Sequence, residues 1–160
     1  SEKRIVAPET VLNYISACEE AFLFSRVKRQ DLIGKRILAV DEKYYVTDLG
    51  LRRAVIGGRI ARDIDIALEN AVYAELIRRG YDVTIGRVRN KEIDFVCDKD
   101  GERSFIQVSY LLASDETKAR EYGAFDLIKS RGKRILLTMD HLDMSTDEVE
   151  HHYIPDWLTT

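Results

Sequence analysis

The chain has 160 residues and a mass of 18.4 kDa, with 45% apolar and 33% charged residues. This apolar fraction supplies a core for one domain of ordinary size, which excludes a disordered or fibrous chain. The 25 basic and 28 acidic residues give a net charge of −3, which excludes a protein that binds polyanions over its whole surface. Any nucleic-acid contact therefore has to be local.

No apolar run reaches the length of about 18 residues that a membrane-spanning helix needs, and the amino end lacks the apolar stretch of a signal peptide. The sequence therefore predicts a cytoplasmic protein with no membrane partner. Its first residue is Ser1 instead of methionine, which suggests a piece of a longer protein. Cys18 and Cys97 lie far apart and outside any Cys-x-x-Cys motif, so both are predicted to be small buried thiols.

Residues 1–56 have the pattern of a winged-helix-like lobe. Apolar residues recur at helical spacing from Val11 to Phe22, which predicts a helix. Two strand-like runs follow at 36–40 and 43–46, and the two residues between them predict a β-hairpin. A helix followed by a β-hairpin is the outline of a winged-helix lobe.

A linker is predicted at 57–62, where two glycines precede two arginines. Residues 63–160 then have the order α-β-β-β-α-β, which predicts an α/β domain with a mixed sheet. The predicted elements are a helix from 63 to 80, strands at 82–86, 92–97 and 104–110, a helix between Ser114 and Gly132, and a strand at 134–138. Residues 99–101 are predicted to form a tight turn between the strands at 92–97 and 104–110, and Ser114 is predicted to cap the helix that follows it. The acidic tail from 140 to 156, which contains three histidines, is predicted to be solvated surface.

Four polar residues lie inside apolar patterns of this second domain. At about 100° per residue, Glu69 falls in the middle of the apolar arc of the helix, and Glu75 falls on its outer face. Asp94 interrupts the apolar residues of one strand, and Gln107 and Ser109 share one face of the next. A buried carboxylate has to be paired, hydrogen-bonded or bound to a cation, so these groups are expected to converge on one site. The alternatives are an ion pair with an arginine for Glu69 and a hairpin role for Asp94.

This constellation resembles the restriction-endonuclease-like, PD-(D/E)xK nuclease fold, in which a helix glutamate, a strand aspartate and the acid of Glu-x-Lys hold Mg²⁺ and the lysine assists the attacking water. The resemblance makes Glu69 and Asp94 the catalytic and metal-binding acids. It puts Gln107 in place of the second acid and Ser109 in place of the lysine. Because Gln107 and Ser109 carry no charge, the expectation is a degenerate, inactive site that binds Mg²⁺ weakly or not at all.

An active Mg²⁺-dependent DNA nuclease is the alternative, and it requires a lysine near the acids. Alternation along the strand places Lys91 on the opposite face from Asp94. Lys118, near the start of the following helix, is the other candidate for a lysine that rescues catalysis.

A second resemblance is carried by short segments spread over nearly the whole chain: Thr10-Val11, Glu20-Ala21-Phe22-Leu23, Lys43-Tyr44-Tyr45, Asp48-Leu49-Gly50-Leu51, Leu68-Glu69-Asn70, Arg78-Arg79-Gly80-Tyr81 and Lys91-Glu92-Ile93-Asp94-Phe95-Val96. In this order they look like the C-terminal region of a prokaryotic family of AAA-type ATPases. In that family a P-loop module precedes a winged-helix segment and a nuclease-like domain of unknown function. The resemblance implies an N-terminal ATPase module of the same protein as partner. ATP would bind to that module, because this chain has no GxxxxGK[ST] motif.

Basic residues near the predicted hairpin form a local pattern that attracts phosphates, and they are the predicted nucleic-acid-binding residues: Arg26, Lys28, Arg29, Lys35 and Arg36. DNA is one partner that this pattern allows. The alternative is that these residues solvate a surface or dock an ATPase module. The predicted function is therefore a regulatory or nucleic-acid-binding module of an AAA-type ATPase, and the alternatives are a DNA nuclease and a protein-docking domain.

Overall fold

A computed structural model of the chain describes residues 7–34, 36–38, 42–57 and 63–160. The helices and strands in these ranges are, in chain order, α1 (Pro8–Glu20), β1 (Phe24–Val27), β2 (Arg29–Asp31), β3 (Arg36–Ile37), β4 (Lys43–Val46), α2 (Leu49–Ile56), α3 (Ile64–Arg78), β5 (Asp82–Val88), β6 (Lys91–Lys99), β7 (Glu102–Val108), α4 (Asp115–Phe125), β8 (Lys133–Thr138), β9 (Glu150–Tyr153) and α5 (Ile154–Thr159).

Most of the described strands form one seven-stranded sheet in the order β3-β2-β5-β6-β7-β8-β9. The pairs β2–β3, β5–β6 and β6–β7 are antiparallel, and the pairs β2–β5, β7–β8 and β8–β9 are parallel. One apolar cluster joins the sheet to α3, α5 and the β1–β4 pair, and a second joins its other face to α4. The predicted α/β class with a mixed sheet is confirmed.

Local sequence signals place several of these elements. Asp100 and Gly101 both have positive φ, 52° and 82°, and close the two-residue turn between β6 and β7. The Ser114 hydroxyl accepts a hydrogen bond from the Thr117 N–H and caps α4. Asp48 caps α2 in the same way. The turn at 100–101 and the Ser114 cap are those that the sequence predicts.

The predicted hairpin between 36–40 and 43–46 is wrong for the part of it that the structure describes. Strand β4 pairs with β1 in a separate two-stranded ribbon, and β3 pairs with β2. Strand β2 in turn joins the main sheet beside β5, so the large sheet takes strands from both sides of residues 57–62. The winged-helix-like lobe and the domain division at that linker stay predictions, and residues 58–62 lie outside the described ranges.

Helix α3 is rotated relative to its predicted orientation. Val72 and Leu76 are buried as expected, but Ile66 and Ile77 are exposed by more than 40%. Glu75, predicted on the outer face, is buried and accepts hydrogen bonds from Arg78 and Arg79. The two arginines stabilise its charge and lower its pKa to about 2.

Most acidic residues of the C-terminal tail, and His141 and His152, are exposed as predicted for a solvated surface, but the tail also contains a short strand and a helix. Strand β9 pairs in parallel with β8, and α5 packs against the cluster on the α3 face through Ile154 and Trp157. His151 is buried and its Nε2 lies 2.8 Å from the Thr138 Oγ1, whereas the adjacent His152 is exposed. A strand of four residues gives too short an alternation to be identified in so polar a segment.

Within the described residues, no helix combines the length and the apolar character that crossing a membrane requires. The cytoplasmic location stays a prediction.

Candidate functional site

The predicted acidic site lies where β6 and β7 separate. A register shift between β5 and β6 breaks the alternation of β6, so that Ile93 and Val96 face α4 while Phe95 faces α3. The backbone ladder between β6 and β7 ends at the pair Phe95 and Ile106. Such irregularities are frequent next to functional sites because they redirect side chains.

Beyond this pair, hydrogen bonds between side chains and the backbone connect β6 to β7. The Asp94 N–H donates to the Gln107 Oε1 at 2.7 Å, and the Val108 N–H donates to the Asp94 Oδ2 at 2.8 Å. The carboxylate of Asp94 therefore lies between the two strands and fixes their spacing. Asp94 has the hairpin role that the sequence left as an alternative, and it also lines the cavity described below.

Gln107 is held from both ends of its amide. Its oxygen accepts from a backbone N–H, and its Nε2 donates to the Glu121 Oε2 of α4 at 3.1 Å. A carboxylate at position 107 would accept the first hydrogen bond but repel Glu121. The neutral amide is thus the side chain that satisfies both neighbours.

Glu69 lies on the other side of the site, against the ribbon. Its Oε2 is 2.5 Å from the Lys43 Nζ and accepts a hydrogen bond of 3.4 Å from the Tyr45 hydroxyl. The Lys43 ammonium also lies 3.2 Å from the Glu92 Oε1, and Glu92 forms a second ion pair with Arg29. The ion pair that the sequence allowed for Glu69 is present, with a lysine in place of an arginine.

The charges of this cluster depend on one another. Burial raises the pKa of Asp94 to about 8, and the neighbouring carboxylate of Glu69 adds to the shift. Burial disfavours the charge on Lys43, but Glu69 and the other carboxylates outweigh burial and raise its pKa. Burial also disfavours the charge on Glu92, but Arg29 and Lys43 outweigh it and lower its pKa. The lysine is thus the cation that stabilises the acids around it.

A cavity of about 400 Å³ brings the four predicted site residues together: Glu69, Asp94, Gln107 and Ser109 line it, with Lys91 and Glu121. The prediction that Lys91 faces away from the site is wrong, because the break in β6 alternation turns it toward the cavity. Its Nζ lies near α4, 3.2 Å from where a methyl group on Gly123 would be. Lys118 lines a different cavity, beside Tyr122 and Met144.

The side chains at this site do not fit Mg²⁺ as they are arranged. The Gln107 oxygen is committed to the Asp94 N–H, and one oxygen of Asp94 to the Val108 N–H. The Glu69 Oε2 is in contact with the Lys43 ammonium, so this oxygen already has a positively charged partner. The described residues contain no group of three or more His, Cys, Asp or Glu side chains placed to hold a metal ion.

The predicted nucleic-acid-binding residues differ in their surroundings. Arg26 forms ion pairs with Glu19 and Glu42, and Arg29 is paired with Glu92. Lys28 and Arg36 are exposed, and Lys35 lies outside the described residues. Among the described members of this group, Arg26 and Arg29 are therefore paired with carboxylates, and Arg36 interacts with the charge of Asp31.

Three residues that contact the site were not predicted from the sequence: Lys43, Glu92 as an ion-pair partner, and Glu121. Lys43 and Glu121 approach the acids only through tertiary packing, from a strand 26 residues before Glu69 and from a helix 14 residues after Gln107. In the sequence, Lys43 is a charged residue directly before the two aromatic residues Tyr44 and Tyr45. That pattern is too common to identify a site by itself.

Comparison with known proteins gives one relative of undetermined function. The chain is 36% identical over 159 residues to an uncharacterized protein of Haemophilus influenzae, an alignment that covers 99% of this chain. The chain spans 39% of the length of that relative, so the larger part of the relative has no counterpart here. No family model matches the chain, and no solved structure matches it.

Proposed function

We propose that this chain is a non-catalytic regulatory module that docks on an ATPase-type module of a longer protein through α1 and α2. The observation that carries the proposal is the exposure of these two helices. Neither helix has a single buried residue. Both carry large apolar side chains.

The exposed apolar side chains in and beside these helices are Val11, Leu12, Tyr14, Phe22, Leu23, Leu49, Leu51, Val55 and Ile56. Leu12, Tyr14, Val55 and Ile56 are each exposed by more than 60%. Single exposed apolar residues are ordinary, but a concentration of them on two neighbouring segments is typical of a surface that contacts another protein. The length of the H. influenzae relative supports a partner within the same polypeptide.

The acidic cavity supports a non-catalytic role. Its carboxylates and its amide are committed to Lys43, Glu121 and two backbone N–H groups, which leaves them holding the molecule together. The ion pairs of Arg26 and Arg29 likewise weaken the case for nucleic acid as the main ligand, because an internal carboxylate competes with each phosphate.

Hydrogen exchange tests the docking proposal. A longer protein that carries this region is compared with the 160-residue chain alone, and the amides of α1 and α2 are expected to exchange at least about tenfold more slowly in the longer protein. Val55→Glu should abolish this protection. Leu142→Glu is the matched control, because Leu142 is equally exposed, at 74% against 76%, and lies outside both helices. Equal exchange of α1 and α2 in the two proteins would contradict docking.

A Mg²⁺-dependent nuclease is the second candidate, favoured by Lys91. Lys91 lines the same cavity as Glu69 and Asp94, and its ammonium has no hydrogen-bond or ion-pair partner among the described residues. Activity would require Lys43 to leave Glu69 and a metal ion to replace it. This candidate predicts DNA cleavage that Lys91→Ala and Asp94→Ala both abolish without unfolding the chain.

A further inference from the structure

The ribbon of β1 and β4 carries both docking helices, so its position determines theirs. Helix α1 ends at Glu20 and β1 begins at Phe24, while β4 ends at Val46 and α2 begins at Leu49. Connections this short leave each helix little freedom relative to its strand. Since α1 and α2 bury no residues of their own, they are attached to the rest of the molecule by the ribbon and, for α2, by the ion pair between Arg52 and Asp63 as well.

Strand β4 provides an apolar and a polar attachment to α3. Tyr45 is 2% exposed and stacks on Tyr73 with ring centroids 4.5 Å apart. The Val46 N–H donates to the Asn70 Oδ1 at 2.8 Å, and the Asn70 amide is oriented by a hydrogen bond from its Nδ2 to the Ile66 carbonyl at 2.7 Å. An N–H at the edge of the ribbon is thus bound by a side chain of α3.

Lys43 adds an ionic attachment to two elements at once. Its ammonium contacts Glu69 of α3 and Glu92 of β6, and it is half-buried, where water screens the interaction only in part. Without this cation, the charge of Glu69 would lose its ion-pair partner and would face Glu92, which retains only Arg29. Lys43 therefore stabilises the carboxylates, and the carboxylates in turn hold the ribbon through Lys43.

We propose that the carboxylates of the nuclease-like cavity act as an anchor, in which Lys43 is the built-in cation that fixes the β1–β4 ribbon and thereby positions α1 and α2 for docking. This inference rests on the proposed docking function for its biological purpose, and the anchor itself is a property of the isolated chain. Lys43 is a positioning residue in this arrangement. The cation it supplies replaces the metal ion that the resemblance to nucleases implies.

Hydrogen exchange on the 160-residue chain tests the anchor. Lys43→Met keeps most of the side-chain volume and removes the charge, and it should accelerate exchange of the β1 and β4 amides by about tenfold or more, because a charge-assisted contact is lost and the acids repel. Exchange in β7 and β8 should change less than about twofold. Lys99→Met is the control, because the Lys99 ammonium donates to the Arg79 carbonyl, outside the ribbon.

A double-variant cycle separates the anchor from simple loss of packing. Glu69→Gln alone should also accelerate ribbon exchange, but Lys43→Met combined with Glu69→Gln should exchange more slowly than Lys43→Met alone, because the second substitution removes an unpaired carboxylate. If Lys43→Met fails to fold, recovery of folding in the double variant gives the same support.

Two results would overturn the anchor: ribbon exchange in Lys43→Met within about twofold of the original chain, or effects of the two substitutions that multiply independently. Neither result depends on a partner. Failure of the docking proposal would instead appear in the longer protein alone, as α1 and α2 that stay unprotected while Lys43 still holds the ribbon.

Discussion

Replacing Gln107 by glutamate tests whether this position holds β6, β7 and α4 together. In Gln107→Glu the new carboxylate still accepts from the Asp94 N–H, but it faces the Glu121 Oε2 at about the 3.1 Å that now separates donor and acceptor. At that distance two charges repel by about 5 kcal/mol with an effective dielectric constant of about 20. The site avoids this repulsion by keeping one proton.

Retaining that proton limits the cost of the substitution. Holding a carboxyl protonated costs about 1.4 kcal/mol for each pH unit above its ordinary pKa of about 4.3, so the cost is about 4 kcal/mol near neutral pH and about 1 kcal/mol at about pH 5. The ion pair between Arg120 and Glu121 reduces the value at neutral pH, and we expect a loss of about 2–4 kcal/mol there. Because the shared proton is retained in the folded state, the loss grows as pH rises through this window.

Urea denaturation at about pH 5 and about pH 7 measures the effect, with the fluorescence of Trp157, the one tryptophan of the chain, as the signal. Gln107→Glu combined with Glu121→Gln exchanges donor and acceptor and should recover most of the stability at both pH values. Equal stability of Gln107→Glu at the two pH values, or no recovery of stability in the double variant, would show that Gln107 and Glu121 do not interact in this way.

Three further substitutions test the fold around the site. Burial lowers the pKa of His151, so as pH falls the histidine of the unfolded chain is protonated at a higher pH than that of the folded chain. Stability should therefore decrease below about pH 6.5, and His151→Gln should reduce this decrease in urea titrations. Gly86→Ala should cost about 1–3 kcal/mol, because its methyl group would lie 2.9 Å from atoms of Ile93 and Val96, and an unchanged urea midpoint would contradict this. Leu137→Ala should cost about 2–5 kcal/mol by leaving a cavity in a fully buried position, measured by thermal unfolding.

Turns and helix caps that depend on neighbouring residues were predicted correctly from the sequence. Strand pairings that depend on contacts between distant segments were not. The turn at Asp100 and Gly101 and the cap at Ser114 depend on neighbouring residues, and both are present. The partner of strand β4 depends on which distant strand packs beside it, and proximity in sequence wrongly favoured residues 36–40. Short strands with few alternating residues leave such pairings open.

The same contrast between local signals and distant contacts applies to the candidate site. Its four predicted residues line one cavity because an acid inside an apolar pattern signals a polar site whatever its partners. The placement of Lys91 was wrong because a single irregularity in β6 changes the face of the residues before it relative to those after it. The ion pair between Glu69 and Lys43 could not be predicted from the sequence, because it forms only when the β1–β4 ribbon packs against α3.

A nuclease assay is the most direct test of the proposal that the acidic cavity is non-catalytic. Single- and double-stranded DNA are incubated with the chain and Mg²⁺ or Mn²⁺, and Asp94→Ala and Lys91→Ala are assayed in parallel after their folding is verified. We expect no cleavage above the level of Asp94→Ala with either metal. Metal-dependent cleavage by the original chain that both substitutions abolish would contradict this proposal and assign the cavity to catalysis.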